Sequence, residues 1–383
     1  MAAAGLNPRT RSMIPHKVLI LGGYGNFGRR IARALVTADI PVIIAGRDAE
    51  KAAAVAHELG ALAESAGFDA NQELTSHLPT LAPLLLINTC GPFQTADHRI
   101  ARACIESGVH YIELADGRDF VTGMTALDAQ AKEKNVVVLS GASTVPGLSS
   151  AVLEHFKPEF GSIDSLIYGI SPGQRTARGL ATTQGILTYV GRRLKPFAGT
   201  VDAHGWQDIH RQDYPALGKR LMANCDIPDL DLLPPRYGIR FIRFSAGLEF
   251  APLHLGLWLL SWLVRSGLPL NLPAHAKLLL KLSTPFDRFG SADGGMHMII
   301  RGRAADGSAH MRRWFIIAKD GCGPHIPTIP AIILAKKLVA GGAVERGAYP
   351  CVGVVGLDEY LAELRAYPIY TVTEPVSARE GLL

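Results

Sequence analysis

The sequence predicts an α/β protein, a doubly wound parallel sheet followed by a second, α+β domain. Three observations carry that expectation. The first 145 residues alternate short, continuously apolar runs with stretches of helical spacing. The first of those runs collides with four glycines, at 22, 23, 25 and 28. After "GASTVPGLSS" (141–150) the texture changes to longer strand candidates separated by hairpin-like turns. Runs that are apolar at every position suit parallel strands covered by helices on both faces.

The elements follow in order. "KVLIL" (17–21), "PVIIA" (41–45), "LLLIN" (84–88), "VHYIEL" (109–114) and "NVVVLS" (135–140) read as strands. A weak strand over Leu62 to Phe68 completes a six-stranded count. Phe27, Ile31, Leu35 and Ala38 share one helical face. Asp48 is placed to N-cap the next helix, whose buried stripe is Ala52, Val55, Ala56 and Leu59. Further helices are expected over Asp97–Ser107, Phe120–Lys132 and Pro146–Phe156. Beyond them, 162–170, 238–244, 295–303 and 311–318 read as strands of a mixed or antiparallel sheet. Asp306-Gly307 turns the last pair into a hairpin. "GPHIPTIP" (323–330) is extended and leads into a helix stopped by Gly341-Gly342. The division is therefore a loose tail (1–15), a dinucleotide-type domain (16–146), an α+β domain (147–322) and a C-terminal segment (323–383) that packs back on the first domain.

The glycines have a physical reading. A strand ends at Leu21 and a helix begins near Asn26. Gly23 permits the tight turn, Gly25 lets a pyrophosphate reach backbone N–H groups, and Gly28 lets the helix lie close to the strand. The helix N-terminus, at Asn26 and Phe27, offers free donors and a partial positive charge. Gly22 starts the alternative G-x-x-G-x-x-G spacing. With a strand before and an amphipathic helix after, this is a Rossmann fingerprint for a dinucleotide. The second strand runs into Gly46, Arg47 and Asp48. Arg47 suits a 2′-phosphate and Asp48 serves as a cap, which favours NADP over NAD. A solvated loop arginine is the competing reading. Asp69, after the weak strand, is grouped with the cofactor site.

Bulk properties exclude several classes. The chain has 383 residues, 48% hydrophobic and 19% charged, with a net charge of +5 and a pI near 8.9. No basic run is long enough to read as a nucleic-acid stripe. Five widely spaced cysteines, without CxxC, indicate neither a disulfide framework nor zinc, and suit reduced thiols in the cytoplasm. The thirteen histidines show no metal-binding spacing, so no metal is expected. No apolar stretch reaches the roughly 20 residues that span a bilayer.

Four stretches carry a family resemblance: "GGYGNFGRRIA" (22–32), "AGRDAEKA" (45–52), "INTCGPFQTADHRIARACIESGVHYIELADGRDF" (87–120) and "GASTVPGLSS" (141–150). Together they resemble the saccharopine dehydrogenase family, including its saccharopine dehydrogenase-like members. "IPTIPAIILAKKLVAGG" near the end is similar as well. The resemblance implies an NADP(H)- or NAD(H)-binding domain followed by an α+β domain that closes over a substrate and contributes to a homodimer. It also implies hydride transfer at a C–N or C=O carbon of a small substrate.

In a doubly wound sheet, ligands lie beyond the carboxyl ends of the strands. That selects Thr89, Cys90, Gly91, Pro92 and Phe93 for the cofactor, with Phe93 near the nicotinamide. It selects Asp116 for a substrate amine or its proton and Arg118 for a substrate carboxylate, although the two could equally form a loop ion pair. Ser143, Thr144, Arg178 and Thr182 are candidate substrate contacts. Residues 252–282 hold Trp258 and Trp262 four apart, Leu255 and Leu259 likewise, with Arg265, Lys277 and Lys281 flanking. They read as a buried core helix, a substrate lid, a dimer interface or an apolar flap at a membrane surface. The leading functional expectation is an NADP-dependent oxidoreductase. A membrane-associated reductase of a lipid-like substrate and a non-catalytic NADP-binding sensor or scaffold are the alternatives.

Overall fold

The computed structural model describes residues 16–375, so the expected tail, 1–15, lies outside the described residues. The first domain alternates β1 (Val18–Leu21), α1 (Asn26–Thr37), β2 (Val42–Gly46), α2 (Ala49–Leu59), β3 (Ala63–Gly67), α3 (Ala70–Leu81), β4 (Leu85–Asn88), α4 (Arg99–Glu106) and β5 (His110–Glu113). It continues through α5 (Arg118–Gly123), α6 (Asp128–Glu133) and β6 (Val137–Ser140). The central strands are buried on both faces, which is why their sequences are mostly apolar, while β3 at the edge is largely exposed. Alternate residues feed two layers. Val18 and Ile20 pack with Ile31 and Leu35 of α1. Leu19 and Leu21 pack with Leu74 and Leu78 of α3 and with Cys104 of α4.

The helix expected over Phe120–Lys132 is broken by a 3-10 turn at Met124–Leu127. Asp128, which starts α6, accepts a hydrogen bond from the Ala348 N–H at 3.0 Å and so anchors a distant strand. Asp48 caps α2 as expected, accepting from Lys51 N at 3.0 Å.

The second domain runs through α7 (Ser149–Phe156), β7 (Ser162–Ser171), α8 (Leu180–Tyr189), β8 (His210–Tyr214), β9 (Gly218–Asn224), α9 (Asp229–Tyr237) and β10 (Phe241–Ala246). It continues with α10 (Ala251–Arg265), α11 (Ala276–Ser283), β11 (Gly294–Arg303) and β12 (Ala309–Ala318). The last residues supply α12 (Ile329–Val339), β13 (Gly347–Pro350), α13 (Leu357–Leu364) and β14 (Ile369–Pro375). The helix expected from Pro146 begins at Ser149, after a π-turn over Thr144–Leu148.

Both sheets have seven strands. The first is parallel throughout, in the order β13-β6-β5-β4-β1-β2-β3. Six strands were expected there; β13 is the seventh, and it arrives from the C-terminal segment to pair with β6. The second runs β14-β12-β11-β7-β10-β9-β8 and is antiparallel except where β7 meets β10. β11 and β12 form the hairpin, register-locked from Gly294↔Ala318 to Arg303↔Ala309. The C-terminal segment thus contributes a strand to each sheet, while α12 packs on α1.

Candidate cofactor and substrate site

β1 lies between β2 and β4, where the strand order reverses, so its carboxyl end opens into the crevice in which doubly wound sheets bind ligands. There the chain enters a left-handed conformation at Gly22 (φ +72). A Cβ added to Gly22 would sit 2.7 Å from Thr89 Oγ1. The sequence assigned the tight turn to Gly23; the structure moves it to Gly22. Gly23 is required for another reason, since a Cβ there would lie 2.9 Å from the Ile44 side chain. Gly25 donates its N–H to the Gly22 carbonyl at 2.7 Å and stands at the N-cap of α1. Gly28 packs directly on the loop, where an added Cβ would fall 2.3 Å from the Gly22 oxygen. The result is a backbone cradle at the head of a twelve-residue helix, whose first-turn N–H groups at Asn26, Phe27 and Gly28 have no partners within the helix. That donor set suits a pyrophosphate.

The remaining cofactor candidates border this cradle. Thr89 donates its N–H and its hydroxyl to the Leu21 carbonyl, at 3.0 and 2.8 Å, and so fastens the loop after β4 to β1. Asn88 positions Cys90, accepting its N–H at 2.9 Å. Gly91 and Pro92 carry this loop toward α8, with the Gly91 Cβ position 3.4 Å from Ala181. Phe93 departs from expectation. It is buried, its ring 5.2 Å from that of Phe120, because the layer between α4 and α5 needs its apolar surface more than the crevice does. Arg47 is exposed at the end of β2, within electrostatic reach of Cys90, as is Asp69. Asp69 also caps α3, accepting from Asn71 N at 3.0 Å. Arg47 has no ion pair among the described residues and is available for an anion. Asp48 is occupied by its cap and by Lys51, which together hold its carboxyl below the usual range.

The two catalytic candidates part company. Asp116 is half-buried and accepts from Gln94 Nε2 at 2.9 Å, and burial raises its carboxyl above the ordinary range. It sits among Tyr189 and Cys225 at the junction between the domains. Arg118 forms no pair with it. Its buried guanidinium forks onto Asp231 and reaches Asp226 at 3.2 Å. It also donates to the carbonyls of Lys195 and Pro196, both at 3.0 Å. With its donors engaged in the second domain, Arg118 is a clamp between domains, and the structure does not offer it to a substrate carboxylate.

Sequence reasoning passed over Glu113. This buried carboxylate accepts from Ala115 N at 2.9 Å, from Gly141 N at 3.0 Å and from the Ser140 hydroxyl. Burial pushes it up to about 7 despite those donors. It ties the end of β5 to the turn after β6, which presents Ser143 and Thr144. Its only signal in the sequence is an acid inside an otherwise apolar strand.

Ligand space opens where the cradle meets the second domain. A cavity of about 570 Å³ begins at Asn26, Phe27 and Thr144. It passes Thr182 and Thr183 of α8 and runs out between α10 and α11, past Leu253, Gly256, Leu257, Leu279 and Phe286. Met296 and Ile170 floor it from the second sheet. Arg178 is at the wall, paired with Asp287, which also accepts from Gln174 Nε2 at 3.0 Å. The structure therefore brings Thr144, Arg178 and Thr182 together with Asn26 and Phe27. Asp116 and Arg118 are not among the lining residues, nor is Ser143, which borders Thr144. The lining is mostly apolar, and the polar side chains in it include Asn26, Thr144, Arg178, Thr182, Glu249 and Ser283. No group of three or more His, Cys, Asp or Glu able to hold a metal occurs among the described residues.

Such a cradle, at the switch point of a parallel sheet and closed over by an α+β domain, defines a dehydrogenase-type nucleotide-binding domain. Residues 18–139 match the family model described as the saccharopine dehydrogenase NADP binding domain. The cofactor it implies is a nicotinamide dinucleotide. No curated protein matches the chain. Among solved structures, apo saccharopine dehydrogenase (L-Glu forming) from Saccharomyces cerevisiae is 13% identical, with 94% of this chain and 100% of that chain covered at a TM-score of 0.64. The fold is thus saccharopine dehydrogenase-like through both domains. GenD2 from gentamicin A biosynthesis, in complex with NAD, is 13% identical over 97% of this chain and 100% of its own, at a TM-score of 0.41. The WlbA dehydrogenase from Thermus thermophilus, in complex with NAD and alpha-ketoglutarate, is 12% identical over 91% and 93%, also at 0.41.

Proposed function

We propose that the protein is an NADP(H)-dependent oxidoreductase whose substrate is an apolar molecule held in the cavity between α8, α10 and α11. The observation that carries this reading is continuity: one cavity joins the head of α1 to an apolar chamber. Bound nicotinamide supplies or accepts a hydride at the cradle end of that chamber. The chain's own residues do the rest. The first-turn N–H groups of α1 and the open backbone at Gly22, Gly25 and Gly28 hold the pyrophosphate. Arg47 forks onto the 2′-phosphate. Thr144 and Thr182 supply hydroxyls at the junction of the two ligands and orient a polar group of the substrate. The apolar walls exclude water from the reacting end. Asp116, behind Gln94, is a positioning residue at the domain junction.

Two measurements test this. In a fluorescence titration, Arg47→Ala weakens NADPH binding about tenfold or more and leaves NADH nearly unchanged, because one charge-assisted contact is worth ~1.5–3 kcal/mol. Equal weakening of both cofactors, or of neither, returns the choice to NAD. The second concerns the chamber. A Cβ added to Gly256 meets no atom within 4 Å, and the residue lines the cavity. A side chain at Gly256 therefore starts in open space beside the cavity, and Gly256→Phe is expected to narrow the chamber while removing a helix-interior glycine. Binding of cis-parinaric acid, a fluorescent fatty acid, is lost in this variant while NADPH binding is retained. A fatty acid that binds neither protein, or both alike, rules out the apolar substrate and leaves the cofactor reading standing.

A further inference from the structure

Helix α10 buries two polar residues and leaves several large apolar ones outside, although Val264 is buried with them. Its fully buried residues include His254 and Ser261, while Leu255, Leu259 and Trp262 are 44%, 58% and 43% exposed. Most of the buried polar groups are satisfied in place, although His254 Nε2 is buried without a partner. His254 Nδ1 accepts from Leu248 N, its carbonyl accepts from Trp206 Nε1, and Ser261 donates to the Trp258 carbonyl at 2.6 Å. A helix facing water puts its leucines inward and its serine outward. Apolar exposure continues on α11, where Leu278 and Leu282 are exposed at 53% and 58%, and on the turn that follows, where Phe289 is exposed at 55%. Of the eleven large apolar side chains that are exposed among the described residues, nine fall between 255 and 289, so this is one face and not scatter.

Charge says what covers it. Arg265, Lys277, Lys281 and Arg288 rim the face and are exposed. Arg265 and Arg288 stack over Trp262 and Phe289, at 5.0 and 4.7 Å. The single acid of the segment, Asp287, is neutralised by Arg178. A second copy of this chain docking face to face would set the lysines of one rim against those of the other. An anionic lipid surface meets both the apolar centre and the basic rim. The cavity opens on this face, because Leu282 and Phe286 line it and are themselves exposed.

We propose that α10, α11 and the turn to Phe289 dock on an anionic lipid surface, from which the cavity draws its apolar ligand. The choice of ligand rests on the function proposed above; the docking does not. The test is flotation of the full chain with vesicles of phosphatidylcholine alone or with about one-third phosphatidylglycerol. The protein floats with the anionic vesicles, floats less as salt rises, and floats far less with the neutral ones. Leu259→Ser with Trp262→Ser, at positions outside the cavity lining, lowers the bound fraction about tenfold. Lys277→Glu with Lys281→Glu does the same and removes the preference for the anionic lipid. Both double variants keep NADPH affinity, which shows that they fold. Wild-type protein left at the bottom of the gradient while it still binds NADPH overturns the docking and spares the cofactor reading. Light scattering that finds a dimer, dissociated by the Leu259/Trp262 variant, assigns the face to a second copy and likewise overturns the proposal.

Discussion

Gly28→Ala sharply weakens dinucleotide binding and destabilises the first domain, whereas Gly256→Ala stabilises the protein. The same added methyl meets opposite surroundings. At Gly28 it would lie 2.3 Å from the Gly22 oxygen and 2.7 Å from Gly23 Cα, both backbone atoms that no rotamer change can move. Either α1 tilts away from β1 or the cradle opens. Overpacking of this kind costs about 1–3 kcal/mol of stability, and the loss of the aligned N–H groups removes the pyrophosphate site. NADPH affinity should fall by roughly two orders of magnitude or more, the equivalent of about 3 kcal/mol. At Gly256 the methyl enters open space in the middle of α10, where glycine costs ~1 kcal/mol relative to alanine. Urea unfolding followed alongside the NADPH titration reads both effects. Normal NADPH affinity in Gly28→Ala would mean that the dinucleotide does not sit on this loop.

That contrast also marks what the sequence could reveal. The cradle is local: every residue in it lies within a short segment, and its spacing reports its geometry. The central strands of the first sheet are equally legible, because burial on both faces makes most of their positions apolar. β3 and β13 were hard for the opposite reason. β3, "AESAG", lies at an edge and is largely exposed. β13, "GAYP", is four residues long, and its pairing with β6 spans some two hundred residues. β8, "HRQDY", is an edge strand with almost no apolar pattern. The cavity was legible only in part: the sequence singles out Thr144, Arg178 and Thr182, but not the apolar walls, since Ile170, Leu257 and Met296 come from separate elements. In α10 the inversion left a faint trace. His254 and Ser261 stand seven apart on one helical face, the spacing of a stripe, yet polar residues in a stripe read as the wet side until the structure shows them dry.

Arg118→Met loosens the two domains from each other and costs about 3 kcal/mol of stability. The guanidinium is 2% exposed and holds two carboxylates, at Asp226 and Asp231, and two main-chain carbonyls. Methionine keeps much of the volume and removes every donor. Asp226, whose carboxyl burial already raises, is then left facing Asp231 with no cation between them. Breaking one side of a fully buried pair costs ~3–5 kcal/mol. The lower end applies here because Asp226 and Asp231 keep 25% and 38% of their surface in water and can be rehydrated. Arg118→Lys recovers only part of the loss, since one ammonium cannot fork onto Asp231 and still reach the carbonyls of Lys195 and Pro196. The urea midpoint falls in the order arginine, lysine, methionine, and the junction at residues 195–197 becomes cleavable by protease before the rest of the chain. NADPH affinity changes little below the unfolding transition, because none of these contacts touches the cradle. An unfolding midpoint unmoved by methionine would reject the clamp and return Arg118 to the list of residues free to bind a ligand.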